Sequence, residues 1–172
     1  MRHCIFIGMD VHKNSIDVAI ADTAANREVR HYGKINSELA DVDLMLRRLG
    51  YKKERLRVVY EAGPCGYGLY RHLRAQGICC TVVAPSLTPR RAGDRVKTDR
   101  RAAITLARLD RAGELTAVYV PRPEDEAIRD LTRAREDGKS AQKRAKQRLN
   151  SFLLRNGRKY TGRVKWTLAH RR

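Results

Sequence analysis

The chain has 172 residues, 42% of them apolar, and its 37 Lys and Arg against 19 Asp and Glu give a formal charge of +18. That length suits one domain with an appendage, at roughly 100–200 residues per domain, and the apolar share excludes a chain disordered throughout. The basic excess points to an anionic partner, most often nucleic acid, bound by phosphate neutralisation and counterion release.

In chain order, "HCIFIGMD" is an apolar strand that ends at Gly8-Met9-Asp10. "SIDVAIAD" follows, with Ile16, Val18 and Ile20 alternating, and "REVRHYGKI" is a third strand with Val29, His31 and Gly33 on one face. The short links "VHKN" and "TAAN" fit an antiparallel meander. In "NSELADVDLMLRRLG", Asn36 or Ser37 can cap a helix whose Leu39, Val42, Leu46 and Leu49 recur at helical spacing up to Gly50. "RLRVVYE" is a strand, "AGPCGYG" a turn, and "LYRHLRAQG" a helix stopped by Gly77. "ICCTVVAP" is an apolar strand ended by Pro85. After a basic loop, "TDRRAAITLARLDRAG" is a helix and "LTAVYVP" a short strand. The order β-β-β-α-β-α-β-α-β predicts an α/β domain of RNase H-like layout, a mixed sheet with helices on both faces.

From Glu124 the character changes. Ala127, Leu131, Ala134, Gly138, Ala141, Ala145, Leu149 and Phe152 follow at spacings of three or four, a helical seam of the coiled-coil or αα-hairpin kind. Gly138 costs about 1 kcal/mol relative to Ala inside a helix, so a break is expected near "EDGKS". The expected division is residues 1–121 for the α/β domain and 122–172 for a basic helical extension. Charge follows it: residues 1–85 carry 13 basic and 9 acidic side chains (+4), residues 86–172 carry 24 and 10 (+14).

None of Cys4, Cys65, Cys79 and Cys80 forms a C-x-x-C pair, so buried reduced thiols are expected rather than zinc. No apolar run approaches the roughly 18 residues of a membrane span, and Met1-Arg2-His3 precedes no signal-peptide core. A cytoplasmic protein with no membrane partner is expected.

Asp10 and Glu61 each close an apolar strand, "IFIGMD" and "RVVYE". In open α/β sheets ligands sit beyond strand ends, and a carboxylate near a core is costly unless paired or metal-bound. Taken singly, Asp10 starts a turn and Glu61 pairs with an Arg. Taken together, two such acids at neighbouring strand ends suit a divalent cation, and oxygen-only ligation favours Mg²⁺ or Mn²⁺. Asp99 is a third candidate, although Thr98 or Asp99 can serve simply as a helix cap. Residues 99 and 102 lie one turn apart on one face, and the second place is occupied by Ala102.

Four blocks, "IGMDVHKNSIDVAIAD", "VVYEAGPCGYGLYRHL", "VVAPSLTPRRAGDRVKTDRRAAITLARL" and the stretch from "RPEDEAIRDL" to the last residue, resemble the amino-terminal half of the DEDD transposases. These are the insertion-sequence recombinases numbered family one hundred and ten, related to the Piv invertases. The resemblance implies a RuvC-like domain of RNase H fold with a five-stranded mixed sheet. Its acids would bind two Mg²⁺ ions for DNA strand cleavage and exchange. By this resemblance the acids fall on Asp10, Glu61 and Asp99. The fourth falls on Ala102, because K-T-D-x-x-D-A reads Lys97-Thr98-Asp99-Arg100-Arg101-Ala102-Ala103. That departure weakens the expected metal site and, more strongly, its activity.

The resemblance also implies a further carboxy-terminal domain with a serine nucleophile, a structured guide RNA (the bridge RNA), dimer or tetramer assembly, and a place at the bacterial nucleoid. The chain is expected to be a fragment inactive alone. Arg90, Arg91, Arg95, Lys97, Arg100 and Arg101 flank the expected site. Lys143, Arg144, Lys146 and Arg148 follow on the long helix, and Arg158, Lys159, Arg163 and Lys165 mix with Tyr160 and Trp166 for phosphate contact and stacking. The alternative is a non-catalytic basic module that binds RNA or DNA. An actin-like phosphotransferase is disfavoured, because Val11-His12-Lys13 follows Asp10 where a phosphate turn would stand.

Overall fold

A computed structural model describes residues 4–23, 28–89, 98–163 and 165–168. Five strands form one sheet: β1 (Ile5–Val11), β2 (Ser15–Asp22), β3 (Arg30–Asn36), β4 (Leu56–Glu61) and β5 (Cys79–Val83). Their order is β3-β2-β1-β4-β5. β2 is antiparallel to both of its neighbours, while β4 runs parallel to β1 and β5 parallel to β4. This is the mixed sheet of the RNase H-like fold. The helices are α1 (Leu39–Leu49), α2 (Gly68–Ala75), α3 (Asp99–Ala112) and α4 (Pro123–Arg155). The chain divides into two compact units, residues 1–120 and 121–172.

Period-2 alternation decides what each sheet face carries. Ile5, Ile7 and Met9 of β1, Ile16, Val18 and Ile20 of β2, and Val58 and Tyr60 of β4 point to one side. There they bury against Val42, Met45 and Leu46 of α1 and Leu69 and Leu73 of α2. A polar clip ties these two helices, since His72 Nε2 and Gln76 Nε2 reach Asp43 Oδ1 at 2.8 and 2.7 Å. Burial alone would raise the Asp43 pKa, but the bonds from Gln76 and His72 outweigh it and hold the carboxyl below its ordinary value.

The other face is built from small residues. Phe6, Ala19 and Ala21 meet Ala103 and Ala107 of α3. Gly8 lies directly under that helix, and a Cβ there would overlap the Ala103 carbonyl oxygen and the Ala107 nitrogen. The missing side chain lets α3 lie close across β1 and β2.

Several expectations are corrected. Gly33 does not share a face with His31. The β2/β3 register shifts between Val18 and Ala19, pairing Val18 with Gly33 and Ala19 with His31. Gly33 absorbs that bulge at φ 141°, a conformation open chiefly to glycine. Neither Asn36 nor Ser37 caps α1. Glu38 holds that place, and the Ser37 hydroxyl instead donates to the Lys13 carbonyl at 2.7 Å. "LTAVYVP" forms only an isolated antiparallel bridge between Ala117 and Val83, with the Val118 N–H donating to the Val82 carbonyl at 2.8 Å, rather than a strand. The break near Gly138 is absent: α4 runs unbroken for 33 residues. One glycine is outweighed by the strong helix formers around it. Pro123 begins this helix, with Glu124, Asp125 and Glu126 in its first turn to complement the macrodipole.

Candidate metal centre

The carboxyl ends of β1 and β4 and the amino end of α3 meet above the α3 face of the sheet. Asp10 alternates with Gly8 and Phe6, so it faces α3 from the end of β1. Only 7% of its surface is exposed. Asp99 opens α3, and Thr98 is the cap, its hydroxyl accepting the Arg101 N–H at 3.3 Å. Capping therefore leaves the Asp99 carboxylate available. It projects over the sheet, 47% exposed.

His12, in the turn that follows β1, joins the two acids. Its Nε2 lies 3.1 Å from Asp10 Oδ2 and 3.5 Å from Asp99 Oδ1. One ligand atom from each of Asp10, His12 and Asp99 fits within 4.8 Å of the others. Two carboxylates and an imidazole, one carboxylate almost fully buried, fit a hard or borderline divalent cation.

Glu61 closes β4. Met9 pairs with Tyr60 in the parallel β1/β4 register, so Asp10 and Glu61 stand at adjacent strand ends. Glu61 alternates with Val59, which packs toward α3. It therefore shares the site's face, although it lies outside the three-residue cluster. Ala102, one turn after Asp99, adds no donor; its N–H bonds the Thr98 carbonyl at 2.9 Å.

A second ring of charge lies beside the first. Asp10 pairs across strands with Asp17, and Asp17 with Lys34, so the three stand in a row across β1, β2 and β3. Asp17 is 4% exposed. His31 Nε2 lies 2.9 Å from its Oδ1 and Lys34 Nζ lies 3.2 Å from its Oδ2. The hydrogen bond that the ammonium donates to Asp17, and then the charge of Asp17, hold Lys34 above its ordinary pKa. The same ammonium stands 3.5 Å from Asp99 Oδ2. Sequence reasoning passed over His12, Asp17, His31 and Lys34. An acid inside the apolar alternation of "SIDVAIAD" was the one available signal.

Arg100 and Arg101 occupy the first turn of α3 beside Asp99. Arg90, Arg91, Arg95 and Lys97 lie outside the described residues. In the second unit, Arg144, Arg148 and Arg155 line one shallow depression with Gln147 and Ser151. Lys146 Nζ lies 5.5 Å from the centre of the Trp166 ring, a cation–π contact. Lys143, Arg158, Lys159, Arg163 and Lys165 stand exposed in the same unit.

A family profile of DEDD transposases, described as "Transposase", matches residues 7–156. The chain belongs to the DEDD transposases. Two curated relatives carry matching names. A protein of Sinorhizobium fredii (strain NBRC 101917 / NGR234) named as a transposase, y4qE, is 48% identical over 167 residues, covering 97% of this chain and 43% of the relative. The transposase for insertion sequence element IS1533 of Leptospira borgpetersenii is 37% identical over 172 residues, covering 99% of this chain and 49% of the relative. The chain thus spans less than half the length of each relative. Among solved structures, the large terminase nuclease of thermophilic phage G20c is 21% identical at a TM-score of 0.39, covering 65% of this chain and 56% of that one. The same nuclease with bound zinc gives 20% and 0.38, covering 65% and 61%.

The chemistry of the DEDD transposases implies a divalent metal and a DNA substrate. Of the acids expected at this site Asp10, Glu61 and Asp99 are present, and Ala102 stands one turn after Asp99. No helix among the described residues is long and apolar enough to cross a membrane.

Proposed function

We propose that this chain is the metal-binding part of an insertion-sequence transposase, acting on DNA and weakened as a catalyst by Ala102. The observation that carries the reading is the convergence of Asp10, His12 and Asp99 within 4.8 Å where β1 ends against the start of α3. Asp10 and Asp99 would hold the cation, with Glu61 at the neighbouring strand end and His12 completing the donor set. Mg²⁺ or Mn²⁺ there would lower the pKa of an attacking hydroxyl and offset charge on the phosphate. Arg100 and Arg101 would draw the DNA backbone toward the acids.

The domain boundary near residue 121 separates this chemistry from a nucleic-acid-holding part. The basic residues of α4 and of the segment after it would bind phosphate through charge, with Trp166 and Tyr160 for stacking. A structured guide RNA and a dimer or tetramer belong to the same proposal, as does a cytoplasmic, nucleoid-associated place. Strand exchange would need a nucleophile domain in addition to these residues.

The test is a calorimetric Mn²⁺ titration of the chain beside its Ala102→Asp and Asp10→Ala versions. Binding should be weak in the parent, at least about tenfold tighter with the fourth acid restored, and lost without Asp10. No binding in any version would leave Asp10, Glu61 and Asp99 structural and make the protein a basic binding module.

A further inference from the structure

The acids of the site already face a cation of the protein's own. Lys34 Nζ stands 3.2 Å from Asp17 Oδ2 and 3.5 Å from Asp99 Oδ2. The backbone sets this position. Lys34 is the cross-strand partner of Asp17, and Asp17 that of Asp10. The bulge at Gly33 turns both His31 and Lys34 toward the α3 face. Asp17 is buried, and His31 grips its other oxygen at 2.9 Å, so its carboxylate is fixed. The ammonium is therefore tethered on its inner side and reaches outward to Asp99.

Asp99 is engaged on both oxygens. Oδ1 lies 3.5 Å from His12 Nε2 and Oδ2 lies 3.5 Å from Lys34 Nζ. A divalent ion using Asp99 meets a positive charge that is held by a buried carboxylate and cannot simply diffuse away. An imidazole nitrogen offers a lone pair to a metal; an ammonium has three donors and no acceptor, so it only competes.

On the metal-binding reading above, we propose that Lys34 is a positioning residue that acts as a resident counter-cation. It holds Asp99 and competes with the divalent ion for that carboxylate. Metal affinity is thereby kept low until the Lys34–Asp99 pair is broken, after which the ammonium stays at the mouth of the site through Asp17.

The experiment measures free Mn²⁺ by electron paramagnetic resonance during titration of the chain and its Lys34→Met, Lys34→Arg, Lys53→Met and Ala102→Asp versions. Lys34 is 54% exposed, so its replacement leaves the fold intact, checked by circular dichroism. Lys53 lies at the opposite end of β4 beside Gln76 and controls for net charge. Removal of one unit charge near 4 Å from a ligand in a watery site should tighten Mn²⁺ binding about three- to tenfold in Lys34→Met. Lys34→Arg should stay within about twofold of the parent, and Lys53→Met should not change. Unchanged or weaker binding in Lys34→Met overturns the proposal, as does equal tightening in Lys53→Met. Absence of binding in every version, Ala102→Asp included, overturns the metal reading itself and the competition with it.

Discussion

Asp10 and Asp17 stand directly opposite one another across the β1/β2 pair, both almost wholly buried, and each is met by partners from a different direction. Such partners have Cβ atoms about 5 Å apart, and like charges there are destabilising. Asp10 is met by His12 from the turn after its own strand, while Asp17 is met by His31 and Lys34 from β3. The sheet thus keeps two acids side by side by dividing their partners between a loop and an edge strand.

Replacement of Asp17 should therefore cost stability rather than shape. Asp17→Ala leaves the part-buried His31 Nε2 without its partner, a loss of about 2 kcal/mol. Asp17→Asn retains an oxygen for His31 and should lose about half as much. Urea unfolding followed by circular dichroism reads both, as a fall in midpoint at constant slope. Equal midpoints for the Ala variant and the parent would show that this pair contributes nothing.

Gly8 sets the depth of α3. In Gly8→Ala the new methyl meets helix backbone, the Ala103 oxygen and the Ala107 nitrogen, so α3 must move outward and take Asp99 with it. We expect a loss of about 2–3 kcal/mol and weaker Mn²⁺ binding together. Gly138→Ala is the counterpart, since nothing lies within 4 Å of its added Cβ. It should stabilise α4 by about 1 kcal/mol and leave metal binding alone. Thermal melts with the Mn²⁺ titration compare the two.

The strands, their order of appearance and the helices around them were legible because periodicity reports which face is buried. Ile5, Ile7 and Met9 alternate with Phe6, Gly8 and Asp10, and a strand-terminal acid in that pattern is visible from the residues alone. Register is not visible in the same way. That Asp17 stands between Asp10 and Lys34 depends on a bulge at Gly33, and a one-residue slip would send Lys34 to the other face. His12 was hidden for a related reason. It lies in a turn outside the alternation, and only the turn's closure, His12 N–H to the Ser15 carbonyl at 2.9 Å, fixes the backbone that holds it.

The cysteines differ in environment and should differ in reactivity. Cys65 is exposed and its thiol lies 3.9 Å from the Val11 carbonyl, one residue past Asp10. Cys80 is buried, and burial pushes its thiol up to about 12. Since the thiolate is the reactive form, a disulfide reagent at pH 8 should label Cys65 first and leave Cys80 unmodified in the folded protein. Cys65→Ser should remove the fast phase. Peptide mapping by mass spectrometry decides the matter, and labelling of Cys80 as fast as Cys65 would contradict this assignment.

Asp110, in the last turns of α3, is a liability that pH should expose. Its Oδ2 is shielded from solvent with no hydrogen-bond partner among the described residues. Burial raises its pKa, against a lowering by the charge of Arg57. The folded protein therefore holds this proton to higher pH than the unfolded chain, whose carboxyl titrates near an ordinary value of about 3.9. As pH rises through the window from that value to the raised one, the unfolded state ionises first and stability falls. Above the window the penalty is constant. Asp110→Asn keeps the volume and removes the charge, so it should gain about 1 kcal/mol at pH 7, a melting point higher by a few degrees. The gain should shrink as pH drops through the window and vanish below the ordinary carboxylate range. A gain that persisted undiminished at pH 3 would assign the effect to packing, and no gain at pH 7 would mean that the buried carboxylate carries no penalty.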